Sequence, residues 1–389
     1  MFFQNSAEKD VIRMTDKATY FAEEARVVSQ FQIHGTMKLI RRIGNGYING
    51  TFLVECRDEQ DTRYRYTLQH INTSVFPDVD ALMDNYIKVT EHLHGKFLLE
   101  GHREKGSVPS IVLTLDGKPY YRCPSGCWRM VTYFGHVYSM DIPDSPETFY
   151  QCGRSFGKFI KDMSDMPLSA LHTVIQGFHD TSRRYADLEH AICEDAAERV
   201  HEVLPEIEFI RIRRGKMSLI ADALASGQIP LRITHNDTNL NNILFDKDSH
   251  KPVAVIDLDT VMPSSPLYDF GDSMRIGTNT VCDDERDLEK VHCNLNLYER
   301  YARGWLEECG SLLSGKELDL LPFAAETITL EDGIRFLTDY LNGDVYYKIM
   351  RQKHNLDRAR TQLKLMEDME RKFPDICTIL SGIRSDLNL

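Results

Sequence analysis

The chain has 389 residues, more than one ordinary hydrophobic core holds, and about two to three domains are the prior. Its 46 Lys and Arg against 59 Asp and Glu give a formal charge of −13, which argues against a nucleic-acid backbone or an anionic membrane as the main partner. Hydrophobic residues at 42% and charged residues at 27% are ordinary for a soluble globular protein. No run approaches the ~18 apolar residues of a membrane span. The opening MFFQNSAEKDVIRMTDK lacks the basic-then-apolar layout of a secretory leader, so a cytoplasmic protein is expected. The nine cysteines are scattered. Cys123 and Cys127, with His136 and Cys152 as the nearest further donors, fall in no zinc-ligand spacing, and reduced thiols are the plainer reading.

In chain order, residues 20–33 carry Ala22, Ala25, Val28 and Phe31 at helical spacing. Strand-like runs over 37–56 flank a glycine-rich turn, and residues 63–71 alternate as a strand. Residues 79–94 return to helical period, and strands are expected at 111–115 and 127–134. The pattern changes near Thr132–His136, the predicted hinge. Beyond it, Pro146 follows Ser145 as a first-turn proline should. Phe149, Cys152, Phe156, Phe159, Ile160 and Met163 then form one apolar stripe. Residues 183–227 read as two helices broken around Pro205, and from 284 onward helices dominate, with turn signals at Gly310, Gly315, Pro322 and Gly343. The expected fold is α+β and two-lobed. A β-rich lobe over 1–132, with a five-stranded antiparallel sheet, precedes a helical lobe over 133–389.

The segment THNDTNLNNILFD, residues 234–246, followed by VIDLDT, residues 255–260, carries the chemistry. Phosphoryl transfer from a nucleotide needs one carboxylate to take the proton of the attacking hydroxyl, and an amide oxygen and a second carboxylate to hold magnesium. Asp237, Asn242 and Asp257 stand in that order, in the spacing H-x-D-x-x-x-x-N and one hairpin later. A lone loop Asp is usually a turn former, but this order and spacing point to a kinase of protein-kinase-like fold acting on a small molecule, with 1–132 as its nucleotide-binding lobe and a nucleotide in the cleft between the two lobes. His235 is read as a brace of the loop rather than a base. Asp259 and Thr260 follow Asp257. On a strand, Asp259 would share its face and could bind a second metal or a substrate hydroxyl, or be a solvated carboxylate; both readings stay open. Asp269, in LYDFGDSMR, is read as a buttress of the catalytic loop despite its D-F-G setting, and Asp272 and Arg275 as a local pair.

Gly44, Gly46, Asn49 and Gly50 form a turn suited to covering phosphates, although Asn-Gly is also an ordinary turn signal. Gln69 ends the next strand, where kinases usually place Lys or Arg; Lys38, Arg41 and Arg42 are candidates to supply the charge. Tyr133 and Phe134, at the hinge, complete the expected nucleotide contacts. Asn239 stands two residues after Asp237, where many kinases carry Lys. Arg335 reads on its own as a helix-surface residue paired at i,i+4 with Glu331 or Asp339.

Together, HNDTNLNNILFD and VIDLDTVMPSSPLYDFGDSMR resemble the aminoglycoside phosphotransferase and choline kinase superfamily. The runs GNGYINGTF, LQHINTSVFPDVDALM, FHDTSRRY and GIRFLTDYLNGDVYY are similar to its N-acetylhexosamine 1-kinase branch, and the likeness spans residues 44 to about 370. It implies ATP and Mg2+, with N-acetylglucosamine or N-acetylgalactosamine phosphorylated at the anomeric hydroxyl. It implies Asp237 as base, Asn242 and Asp257 as metal ligands, and Asp259, Thr260, Arg335 and Tyr346 beside Asp237 in the sugar pocket. It also makes Gln69 a trait of this branch. A choline- or aminoglycoside-type kinase is the alternative enzyme, and a nucleotide-binding regulator without catalysis the alternative class. A small-molecule partner, no nucleic acid, no membrane, and a monomer or weak homodimer are expected.

Overall fold

The computed structural model describes residues 21–43, 49–101 and 108–389. The chain forms two compact units that divide between His136 and Val137. The first holds α1 (Ala22–Val28), β1 (Thr36–Arg42), β2 (Gly50–Arg57), β3 (Arg63–Ile71), α2 (Val79–Leu99), β4 (Ile111–Val112), β5 (Tyr121–Cys123) and β6 (Gly126–Thr132). The strands make one antiparallel sheet in the order β1-β2-β3-β6-β4, with β5 also on β6. Among the described residues the sheet therefore has six strands rather than five: β4 falls in the run expected at 111–115, and the added strand is β5, whose three residues leave no alternation to read. One face packs Val54, Leu68 and Met130 with Phe52 and Trp128 against Val27 and Val28 of α1. That helix ends at Val28, and Phe31, expected within it, instead bridges Thr114. Asp78 starts α2 by accepting the Ala81 N–H at 2.9 Å.

The second unit runs through β7 (Val137–Tyr138), α3 (Pro146–Met163), α4 (Thr181–Glu194), α5 (Leu204–Ile212), α6 (Arg214–Met217), α7 (Leu219–Ala225), β8 (Arg232–Thr234), β9 (Ile243–Asp246), β10 (Pro252–Val255), β11 (Met262–Ser264), α8 (Pro266–Thr278), α9 (Leu295–Cys309), α10 (Gly315–Leu341), α11 (His354–Arg371) and α12 (Phe373–Leu387). Helix α3 begins as its sequence requires, with the Ser145 hydroxyl accepting the Thr148 N–H and Pro146 in the first turn. Its stripe from Phe149 to Met163 is buried throughout. Residues 183–227 differ from the expectation of two helices. Helix α4 ends at Glu194, with Asp195 after it in the left-handed region (φ 42°), and Pro205 opens α5 instead of breaking a helix. Pro322 lies inside α10, where the Leu318 carbonyl gives up its usual donor. A core of Leu188, Ile207, Leu337, Tyr340 and Leu363 binds α4, α5, α10 and α11. No helix among the described residues is long and apolar enough to cross a membrane.

Helices α3 and α9 approach closely because Gly153, Gly157 and Gly304 lie along their contact. A Cβ on Gly153 would stand 2.4 Å from the Tyr301 carbonyl oxygen, and one on Gly304 2.4 Å from that of Tyr150. Backbone cannot yield as a side chain can, so Gly153→Ala is expected to lower the urea midpoint by an amount equivalent to about 1–3 kcal/mol with the slope unchanged. Gly382→Ala on α12, where nothing lies within 4 Å of the added carbon, should instead leave stability equal or raise it by up to about 1 kcal/mol. Equal midpoints for both variants would contradict this packing.

Candidate active site

Two short antiparallel pairs set up the site. Strand β11 pairs with β8, with Met262 opposite Thr234, and β10 pairs with β9, with Val255 opposite Ile243. The loop His235–Asn242 runs from β8 to β9, and residues 256–261 run from β10 to β11, so the two connections lie side by side. The Ile256 N–H donates to the Asn242 carbonyl at 2.9 Å, which draws the residue before Asp257 onto Asn242. Asp257 is not part of a strand. It is exposed, in the left-handed region (φ 60°), and starts a single 3-10 turn over Leu258–Thr260. Asp259 is buried in that turn and does not alternate with Asp257 as strand residues would. The Thr260 hydroxyl donates to the His235 carbonyl at 2.7 Å, so its donor ties the two connections together.

The loop His235–Asn242 is held from several sides. Asp269, in the early turns of α8, accepts the His235 N–H at 2.8 Å and the Asn236 N–H at 2.7 Å. Burial pushes its carboxyl up to about 7, against the pull of those two N–H groups. Asn236 adopts φ 65°, a conformation asparagine tolerates, and its amide donates to the carbonyls of Thr260 and Thr234 at 2.9 and 3.1 Å. The Thr238 hydroxyl donates to the Asp269 carbonyl at 2.6 Å, and the Ser273 hydroxyl to that of Thr238 at 3.0 Å. His235 is fully buried between the rings of Phe156 and Phe159. Its Nδ1 accepts the Asp237 N–H at 3.3 Å, which leaves Nε2–H as the donor to the Ile256 carbonyl at 3.0 Å. Accepting at Nδ1 needs a neutral ring, and burial pushes the imidazole down to about 4.

Asp237 is half-buried at the loop's turn. Asn239 donates from its amide to one carboxylate oxygen, and Asn242 to the other at 3.1 Å. Burial, helped by the charge of Asp272, raises this carboxyl to about 6 despite the two amides. Asn239 therefore supplies a neutral donor where a lysine would supply charge. Asn242 spends its Nδ2 on Asp237, including the carbonyl at 2.9 Å, and its remaining functional atom is an amide oxygen. With the Asp257 carboxylate it gives an all-oxygen donor pair of the kind magnesium takes.

Below Asp237 lies a row of alternating charges. Arg275, almost fully buried, reaches Asp272 at 3.0 Å, Asp332 at 3.2 Å and Asp283 at 3.4 Å, and Asp332 also holds Arg335 at 2.9 Å. Arg335 thus pairs three residues back, not with Glu331 or Asp339. Glu331 faces inward to His179 at 3.2 Å and the Thr181 hydroxyl at 2.9 Å. The Asp339 carboxylate accepts three successive N–H groups, from Val345, Tyr346 and Tyr347, at 2.8–3.0 Å. That fold-back presents Tyr347 to Arg335, 5.7 Å from guanidinium carbon to ring centre, and leaves Tyr346 67% exposed against the edge of Tyr347. Tyr347 and Asp332 were not singled out in the sequence. The paired tyrosines gave the signal, but not which of them meets the arginine.

In the first unit, Gly44 and Gly46 lie outside the described residues. The Asn49 side-chain oxygen accepts the Asn72 N–H at 2.9 Å. Tyr133 lies under the Arg65 guanidinium at 4.9 Å, and Phe134 is half-buried beside it in sequence. The Gln69 side-chain oxygen accepts from Arg129 Nε at 2.8 Å.

Residues 39–312 match the family model described as the phosphotransferase enzyme family, APH. In fold, the chain is similar to an aminoglycoside phosphotransferase from Alicyclobacillus acidocaldarius, at 12% identity and a TM-score of 0.59 over 95% of this chain and 100% of that one. It is similar also to a microcompartment-associated aminopropanol kinase, at 15% identity and a TM-score of 0.59 over 91% and 97% of the two chains. An amicoumacin kinase in complex with AMP-PNP, Ca2+ and Ami matches at 13% identity and 0.56 over 89% and 93%.

His235 gives this loop a pH signature. Between its ordinary value near 6.5 and its folded value of about 4, only the unfolded chain takes up the proton, so its contribution to stability is lost as pH falls through that window. The stability gap between the native chain and His235→Gln should narrow by about 3 kcal/mol from pH 6.5 to 4 and stay constant above 7. Urea titrations across that range check it; a constant gap would mean that the ring is not held neutral.

Proposed function

The chain belongs to the APH phosphotransferase enzyme family, and from that premise we propose that it is an ATP-dependent small-molecule kinase acting on the anomeric 1-hydroxyl of an N-acetylhexosamine. The carrying observation is the loop in which Asn239 and Asn242 both donate to the Asp237 carboxylate while Asp257 emerges from the adjoining turn. In this reading, Asp237 accepts the proton of the attacking hydroxyl. Its two amide donors fix the carboxylate's direction, and burial keeps it basic enough to take a proton near neutral pH. Asn242 and Asp257 would hold Mg2+, which when bound draws negative charge from the transferring phosphoryl group. Gln69, Tyr133 and Phe134, with Gly44, Gly46 and Asn49, are the proposed nucleotide contacts.

Asp259, Arg335 and the tyrosine pair Tyr346–Tyr347 are proposed to line the acceptor pocket, with Thr260 supporting it through the His235 carbonyl. An arginine offers donors to ring hydroxyls or an acetamide oxygen, and a tyrosine an apolar face with a polar tip. Asp272 and Asp332 each already face a guanidinium. That arrangement favours a neutral polyhydroxylated acceptor over the quaternary ammonium of choline or the ammonium groups of an aminoglycoside, which need an acid or aromatic face of their own.

The test is phosphate transfer from MgATP to N-acetylglucosamine, N-acetylgalactosamine, glucose, galactose, choline and kanamycin, with phosphorus NMR locating the new ester. A 1-phosphate on an N-acetylhexosamine is expected, and transfer to choline or kanamycin alone would overturn the sugar assignment. With the accepted substrate, Asp237→Asn should lower kcat by roughly 10²–10⁴-fold while leaving nucleotide affinity near native. Native turnover in that variant would remove Asp237 as the base.

A further inference from the structure

The strand-end position that lacks a cation has one brought to it from the neighbouring strand. Gln69 on β3 and Arg129 on β6 are register partners, so their side chains leave the same face of the sheet. Arg129 Nε donates to Gln69 Oε1 at 2.8 Å, and the guanidinium carbon stands 4.4 Å from the centre of the Tyr86 ring on α2. We propose that Arg129 carries the positive charge that contacts the phosphates of the bound nucleotide, taking over from β6 the task of a lysine at the end of β3. Gln69 and Tyr86 set its direction. The inference rests on the nucleotide-kinase reading above.

Position decides between Arg129 and the three cations that the sequence offered to supply this charge. Lys38, Arg41 and Arg42 lie on β1, which pairs with β2 and not with β3. Two strand spacings put that backbone about 10 Å from β3. Arg129 is one hydrogen bond from the tip of residue 69 itself. Chemistry agrees with the exchange. A lysine ammonium is a point charge on a flexible stem, whereas an arginine is a planar fork that needs orienting before it can meet phosphate in two-point fashion. The Gln69 amide and the Tyr86 face orient that plane, and an amide at 69 does so without adding a second positive charge beside the first. Arg129 is 1% exposed, so contact with phosphate requires its guanidinium to be uncovered when the nucleotide binds, which the Arg129 Nε signal reports.

The direct test uses the native protein. The 15N–1H signal of Arg129 Nε is followed on adding MgADP and, separately, adenosine. A shift with MgADP and none with adenosine is expected. In parallel, Arg129→Gln should bind MgADP about 10- to 100-fold more weakly with adenosine affinity unchanged. The double variant Gln69→Lys with Arg129→Gln should regain most of that loss, because the charge returns to the adjacent strand. An Nε signal unmoved by MgADP that nonetheless binds would overturn the proposal and leave the kinase reading intact, as would native ADP affinity in Arg129→Gln. Failure of the native chain to bind MgADP at all would overturn both. Should Arg129→Gln fail to fold, the signal in the native protein decides alone.

Discussion

The site depends on one buried carboxylate that bends a loop. A turn tight enough to present Asp237 leaves the N–H groups of His235 and Asn236 pointing inward with no strand or helix to receive them. Asp269 takes both. A buried N–H without an acceptor costs about 1–3 kcal/mol, so this one side chain offsets the main penalty of the loop's shape. Its own position is secured by α8, whose first turn is capped by the Ser265 hydroxyl and opened by Pro266. The other ties, from Thr260, Asn236, Thr238 and the neutral His235 ring, all act on a loop whose course Asp269 has already set.

The charges under the loop follow from the same burial. A carboxylate near an apolar helix face is driven toward its protonated form, and Asp237 and Asp269 both show it. Arg275 limits the effect by standing among Asp272, Asp332 and Asp283. The row continues through Asp332 to Arg335, and Asp339 gathers three N–H groups to bring Tyr347 onto that arginine. Asp237, the proposed base, and Arg335, the arginine proposed for the acceptor, therefore share one electrostatic network in the second unit. A change at Arg335 is felt at Asp332 and Arg275 before it reaches Asp237.

Much of this was legible because it is local in sequence. The spacing from His235 to Asn242, the hairpin that follows and the stripe on α3 each express a period or a fixed offset. Asp269 could be read as a buttress because the metal-ligand position was already filled one hairpin earlier. What escaped reading depends on register or on which way a chain turns. Arg129 and Gln69 are 60 residues apart, and nothing short of strand pairing puts them side by side. Asp257 was expected at a strand end, but the ladder stops at Val255 and the backbone turns through positive φ. Arg335 had acidic residues at i−4, i−3 and i+4. The choice of Asp332 followed only because Glu331 and Asp339 are spent elsewhere, on His179 and on the turn after α10.

The most direct measurement is kcat of Asp269→Asn at saturating MgATP and acceptor. The amide keeps the volume and one acceptor but cannot receive both N–H groups, so the loop should relax and misplace Asp237. A fall of about 100-fold in kcat, with KM for MgATP unchanged, is expected. Native kcat in that variant would mean that the loop holds its course without Asp269 and that this carboxylate does not set the site.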